Sequence, residues 1–137
     1  MERVLVDSNV IIDVFSGDNV WGEWSERTLA ALGATDVLVI NSIIYAEVSV
    51  RFTDIELVER AIPHSAFIRE AIPFEAAFLA GKAYVRYKRS GGTRRSPLPD
   101  FFIGAHAAVR DYKLLTRDTR RYRSYFPTVE LIAPNVN

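Results

Sequence analysis

Four carboxylates in this 137-residue chain stand where packing gives little reason to put them. Asp7 ends the apolar run Val4-Leu5-Val6, and Ser8 and Asn9 after it can open a helix whose apolar face is Ile11, Ile12 and Phe15. Glu47 lies three and four residues from Ile44 and Ile43, so it shares their helix face. Asp100 follows Pro99 and stands above a stripe of Ile103, Gly104, Ala107 and Ala108. Asp118 comes just after the apolar run Leu114-Leu115 and Thr116. Each has an ordinary alternative: Asp7, Asp100 and Asp118 can cap helices, and Glu47 can pair with Arg51 at i+4. The set is harder to explain that way. At about 4–5 Å and an effective dielectric of about 20, each pair of carboxylates repels by roughly 3–4 kcal/mol. A hard divalent cation such as Mg²⁺ or Mn²⁺ offsets that repulsion with oxygen ligands. Zinc is poorly served, since the chain has no cysteine and its histidines are His64 and His106. His106 falls about 240° around a helix from Asp100 and reads as structural.

The elements that must position these acids can be read in order. Val4–Val6 and Val37–Ile40 have the continuous apolar composition of strands buried on both faces. Trp21, Trp24, Thr28, Leu29 and Leu32 mark an amphipathic helix that closes near Gly33. Asn41-Ser42 opens a helix over Ile43 to about Phe52, and Asp54 opens another that ends before Pro63. A weak strand is expected within 67–72 and a long helix from Phe74 to about Ser90. A Gly/Pro-punctuated loop then leads to a helix from Asp100 to about Tyr112. Strand 114–116, a short helix 119–125 and strand 129–132 complete the chain. Strands alternating with helices predict one α/β/α domain over residues 1–137, with a parallel sheet. Asp7, Asp100 and Asp118 then share the carboxyl edge, where open α/β sheets build their sites.

Charge is unevenly distributed, although the chain has no net charge. Residues 1–81 carry 5 Lys/Arg against 13 Asp/Glu, and residues 82–125 carry 12 against 3. The later segment therefore suits a polyanion, or is a set of solvated helix faces. Arg94 and Arg95 precede Asp100, while Arg117, Arg120, Arg121 and Arg123 surround Asp118. Tyr122 and Tyr125 alternate with those arginines; they can stack unpaired bases or close the core. No stretch reaches the roughly 20 apolar residues of a membrane span. Together with the lack of cysteine, this leads to the expectation of a soluble, cytoplasmic protein.

Taken in order, Asp7-Ser8-Asn9 after a first strand, Ala46-Glu47, Pro99-Asp100-Phe-Phe-Ile-Gly-Ala-His-Ala and Leu115-Thr116-Arg117-Asp118 resemble the PIN-domain signature. The likeness is greatest to VapC-type toxins of bacterial and archaeal toxin–antitoxin pairs and runs over nearly the whole chain. It implies a Mg²⁺- or Mn²⁺-dependent ribonuclease, usually dimeric, inhibited by an antitoxin whose tail enters the active-site groove. It also implies a five-stranded parallel sheet of order 3-2-1-4-5. Asp7, Glu47, Asp100 and Asp118 match the family's four acids, and Asn9 and Thr116 its supporting polar positions. The expected reaction is metal-assisted hydrolysis of RNA phosphodiesters, with the acids holding one or two ions. Phosphate contacts fall to Arg94, Arg95, Arg117, Arg120 and Arg121. Trp21, Trp24, Leu57 and Val58 offer a partner surface, unless they pack in the core.

Other classes compete. A receiver-like phosphoacceptor domain also binds Mg²⁺ in an α/β fold, but it wants adjacent acids after the first strand, where Ser8 follows Asp7. A haloacid-dehalogenase-like phosphatase needs an Asp where Asn9 stands. A non-catalytic RNA-binding or scaffold domain needs no metal at all.

Overall fold

The central strand is β1, Arg3–Val6, whose Val4, Leu5 and Val6 are fully buried. In the computed structural model, which describes residues 1–92 and 97–134, it lies between β2 (Val37–Ile40) and β4 (Lys113–Leu115). Strands β3 (Ile68–Arg69) and β5 (Leu131–Ile132) form the edges, giving a parallel sheet of order β3-β2-β1-β4-β5. Helices make it a three-layer α/β structure, as expected. They are α1 (Ser8–Ser16), α2 (Gly22–Thr35), α3 (Ser42–Ser49), α4 (Ile55–Ala61), α5 (Phe74–Arg89), α6 (Leu98–Arg110) and α7 (Arg120–Tyr125). The chain leaves β1 toward β2 and β3, then returns across the sheet to β4 and β5. Strand order therefore reverses at β1, and a crevice opens at its carboxyl end. The register pairs Val6 with Leu115, and the Asp7 N–H donates to the Leu115 carbonyl at 2.9 Å. Asp7 and Thr116 are thereby neighbours at one edge.

Local sequence explains most of the boundaries. Helix α1 stops at Gly17, which takes the left-handed conformation (φ 65°) that costs an L side chain energy. Asn41 caps α3 by accepting from the Ile44 N–H at 3.0 Å. Helix α6 begins at Leu98, two residues earlier than the sequence reading, so Asp100 lies in its first turn and does not cap it. Pro99 is tolerated there because a first-turn N–H has no helical partner to lose. The third strand is likewise shorter than expected, confined to Ile68–Arg69. Among the described residues no helix is long and apolar enough to cross a membrane.

The expected partner surface divides. Val58 is in the core and Trp24 packs against it, whereas Trp21 is half-buried and Leu57 is exposed; outside that expected set, Phe74 (90% exposed) and Phe78 (67%) of α5 present apolar rings to solvent. Gly104 of α6 faces the ring of Phe126, which follows α7. A Cβ at residue 104 would overlap three atoms of that ring. The close approach that glycine permits is thus to the α7 end, not to the strands. Gly104→Ala should therefore destabilise the fold by about 1–3 kcal/mol through overpacking, seen as a melting temperature several degrees lower. An unchanged melting curve would mean that Phe126 is free to move aside.

Candidate active site

Asp7 is 4% exposed at the end of β1, in extended backbone just before α1. One carboxylate oxygen accepts from the Ser8 N–H at 2.8 Å. The other accepts from the Thr116 hydroxyl and from the Tyr122 hydroxyl, each at 2.9 Å. Thr116 is itself buried and accepts from the Asp118 N–H at 3.1 Å, which shapes the turn after β4. Asn9 joins the same group: its amide lies 3.3 Å from the Thr116 hydroxyl, and its carbonyl accepts from the Arg117 N–H at 3.4 Å. Thr116 and Asn9 thus hydrogen-bond to a carboxylate and to the turn that carries Asp118.

Glu47 reaches the same region from α3, where it accepts from the Ser8 hydroxyl at 2.8 Å. The alternative partner, Arg51, forms no ion pair with it among the described residues. Asp100, from the first turn of α6, is ion-paired with Arg121 of α7. Asp118 is exposed on its turn, so it lies at the outer side of the group. The acids come from four separate elements, and each is brought in by a strand end or a helix that packs on the sheet.

Electrostatics register the crowding. Burial, then the charge of Asp100, pushes the Asp7 carboxyl up to about 7, against the opposing hydrogen bonds of Tyr122 and Thr116; Glu47 adds to the rise. Glu47 is raised by burial and by Asp100, with the Ser8 hydrogen bond working against them. Burial also raises Asp100, offset in part by Arg121, while Asp118 pushes it further up. Tyr122 is held well above its usual value by burial and by the charges of Asp7 and Asp100, so it remains a donor.

These oxygens suit a hard divalent cation in chemistry and charge. Among the described residues, no group of three or more His, Asp or Glu side chains is drawn together tightly enough to hold an ion. The Arg121 guanidinium is the positive group at Asp100 instead. A bound ion would thus take over a charge-balancing role that Arg121 now fills at one of the four acids.

The predicted basic residues fall into different settings. Arg94 and Arg95 lie outside the described residues. Arg117 donates to Asp13 at 2.7 Å, and its guanidinium lies 6.0 Å from the centre of the Trp21 ring. Arg121 is bound to Asp100, and Arg120 is exposed. Tyr122 is buried against Asp7 and is not available for base stacking. Tyr125 packs 5.0 Å from Phe101, with Arg86 over its ring.

Sequence reasoning missed three contributors. Tyr122 had a signal, since it and Phe126 stand at i and i+4, the spacing of a buried face. Ser8 serves Glu47 with its side chain while its N–H serves Asp7, a division that spacing cannot reveal. Asp13 is 1% exposed and binds both Ser25 and Arg117, linking α1, α2 and the Thr116–Asp118 turn. A carboxylate two residues past Ile11 gives no hint of that.

Because the folded pKa of Asp7 is raised, the folded metal-free protein holds a proton that the unfolded chain releases near pH 4. Stability attributable to Asp7 is full below the unfolded value, falls by up to about 1.4 kcal/mol per pH unit, and levels off above about pH 7. Asp7→Asn should lack this decline. Denaturation of both proteins in EDTA from pH 4 to 8 checks it: parallel stability profiles would refute the raised pKa.

A family model described as PIN domain matches residues 4–127. No curated protein sequence matches the chain. A toxin–antitoxin complex from Klebsiella pneumoniae contains a similar chain, at 26% identity and TM-score 0.70, over 96% of this chain and 98% of that one. VapBC2 from Rickettsia felis, bound to a promoter DNA fragment, is similar at 16% identity and TM-score 0.73, over 97% and 99%. VapC20 from Mycobacterium tuberculosis, described as a sarcin–ricin loop cleaving toxin, matches at 14% identity and TM-score 0.63, over 93% and 98%.

Proposed function

This chain belongs to the PIN domain family, and from that premise we propose that it is a divalent-metal-dependent endoribonuclease, the toxin of a toxin–antitoxin pair. The observation that supports this reading is that Asp7, Glu47 and Asp100 approach one sheet edge from three elements, where burial and neighbouring acid charges disfavour their ionised forms. Packing does not need such a group, and a cation does. Asp7, Asp100 and Glu47, with Asp118 from the outer side, would hold Mg²⁺ or Mn²⁺. The ion supplies an activated water and stabilises charge on a scissile phosphate.

The chain's own residues have separable roles. Ser8, Thr116 and Tyr122 fix the direction of the Asp7 oxygens and keep them from turning into the core. Asn9 and Thr116 set the turn that carries Asp118. No histidine is at hand as a base: His106 is buried between Asn41 and Glu70, and His64 is exposed beside Glu59. This agrees with a mechanism that leaves proton removal to solvent and the ion. Arg121, once released from Asp100, is placed to meet a phosphate next to the acids.

RNA as the substrate is supported by the described specificity of VapC20, and an antitoxin partner by the complexes in which similar chains were solved. The exposed Phe74 and Phe78 on α5 are apolar surface that a second copy of the chain would cover, in keeping with the dimer the family implies. One observation favours a non-catalytic RNA-binding domain instead: the Arg121 guanidinium is ion-paired with Asp100 and offsets the charge of one of the four acids.

Incubation of the purified chain with single-stranded RNA separates the two. The nuclease reading expects cleavage with Mg²⁺ or Mn²⁺, none with EDTA, and a loss of more than about a hundredfold in Asp100→Asn. RNA that stays intact under every metal condition would leave the binding-domain reading standing.

A further inference from the structure

A cleft of about 810 Å³ adjoins the acids on the Asp118 side. Trp21 lines it together with Arg117, Asp118, Arg120, Arg121 and Tyr125. The two tryptophans of the chain are placed very differently. Trp24 packs against the core, whereas Trp21 is half-buried at the head of α2 and is not among the residues packed there. Trp21 is thus a large aromatic ring that lines the cleft and that the core does not use.

Its surroundings hold it still. The Trp21 N–H donates to Asp18 at 2.7 Å, which fixes the backbone at the start of α2. The Arg117 guanidinium lies over the indole and is itself tied to buried Asp13. Asp13 also receives the Ser25 hydroxyl at 3.0 Å from α2, so the helix that carries Trp21 and the turn that carries Asp118 are joined through one carboxylate. The ring is pre-ordered at a fixed place relative to the acids. The other aromatic rings near the cleft already serve the interior: Tyr125 packs edge-on or tilted against Tyr87 and Phe101, with Arg86 over its ring.

We propose that this cleft is a subsite for one unpaired nucleotide next to the scissile phosphate, with its base stacked on Trp21 and a flanking phosphate on Arg120. The proposal rests on the nuclease reading for its link to the acids, and it narrows the substrate to single-stranded nucleic acid. A base can offer its π-face to an indole only when it is out of a duplex. The cleft's charges also sort the arginines. Arg117 is consumed by Asp13 and Arg121 by Asp100, so Arg120 is the exposed cation in the cleft with no carboxylate partner among the described residues.

The test reads binding in EDTA, where cleavage does not interfere. Trp24→Phe leaves Trp21 as the sole tryptophan, and its fluorescence should be quenched by a single-stranded RNA oligonucleotide. A duplex of the same sequence, and an abasic oligonucleotide of the same length, should not quench it. Trp21→Ala should weaken binding of the single strand by about tenfold or more, and Trp21→Phe should restore part of the loss. Arg120→Ala should lower the salt slope by about 0.7, with Trp21→Ala leaving that slope unchanged. An unquenched Trp21, or equal quenching by the abasic strand, overturns the subsite even if Trp21→Ala fails to fold. The two readings fail separately. Quenching without cleavage in Mg²⁺ removes the nuclease and keeps the subsite, whereas cleavage with an indifferent Trp21 does the reverse.

Discussion

The buried carboxylate of Asp7 is the constraint on which the rest of the site depends. It terminates the central strand of the sheet, so it cannot withdraw from the sheet edge without breaking the Asp7–Leu115 hydrogen bond. Burying an ionised carboxylate is costly unless donors satisfy it, and here Ser8 and Asn9 of α1, Thr116 after β4 and Tyr122 of α7 do so. Those donors compensate only in part, since burial and neighbouring charges still outweigh them. The geometry of α7 follows from this demand. Tyr122 must reach Asp7, and that anchors the short helix whose adjacent residue, Arg121, reaches Asp100.

Charge balance is the second constraint. With Asp7, Glu47 and Asp100 at one edge, the metal-free fold needs a positive group, and Arg121 supplies it at Asp100. The guanidinium engages one oxygen of Asp100 and leaves Asp7 to its hydroxyl donors Thr116 and Tyr122. Arg121 also lies over Tyr87 and Phe101, at 5.9 and 6.0 Å from their ring centres. The guanidinium thus has an aromatic resting place as well as a carboxylate one, and exchange of its partner need not disturb α7.

Much of this was legible in the sequence, for identifiable reasons. Val4–Val6 and Val37–Ile40 are apolar without alternation, which places them in the middle of a parallel sheet, and that placement carries Asp7 to the edge. Glu47 stood out because it broke an apolar stripe. The start of α6 was read two residues late because Pro97 and Pro99 look like loop punctuation, whereas proline is at ease in a first turn. Contacts between elements distant in sequence were the hidden part. Arg117 and Arg121 read as phosphate ligands from their charge, yet each has a carboxylate from another element, Asp13 and Asp100. Local pattern says which face of a helix is apolar, but not which acid a long side chain will find across a crevice.

The orientation of Asp100 is fixed from elsewhere on the same helix. On one side of α6, Gly104 admits the ring of Phe126 at contact distance. At a different angle His106, fully buried, has Asn41 at 3.0 Å from one ring nitrogen and Glu70 at 2.9 Å from the other. Tyr112, just past the helix, donates to the second oxygen of Glu70 at 2.7 Å. A helix held at two angles cannot roll, and a roll is the motion that would carry Asp100 out of the group. Asn41 makes the link stricter, because its carbonyl caps α3 while its amide meets His106. The same side chain therefore ties the helix bearing Glu47 to the helix bearing Asp100. His106, which chemistry alone would nominate as a ligand or base, acts at a distance by keeping two acids in register.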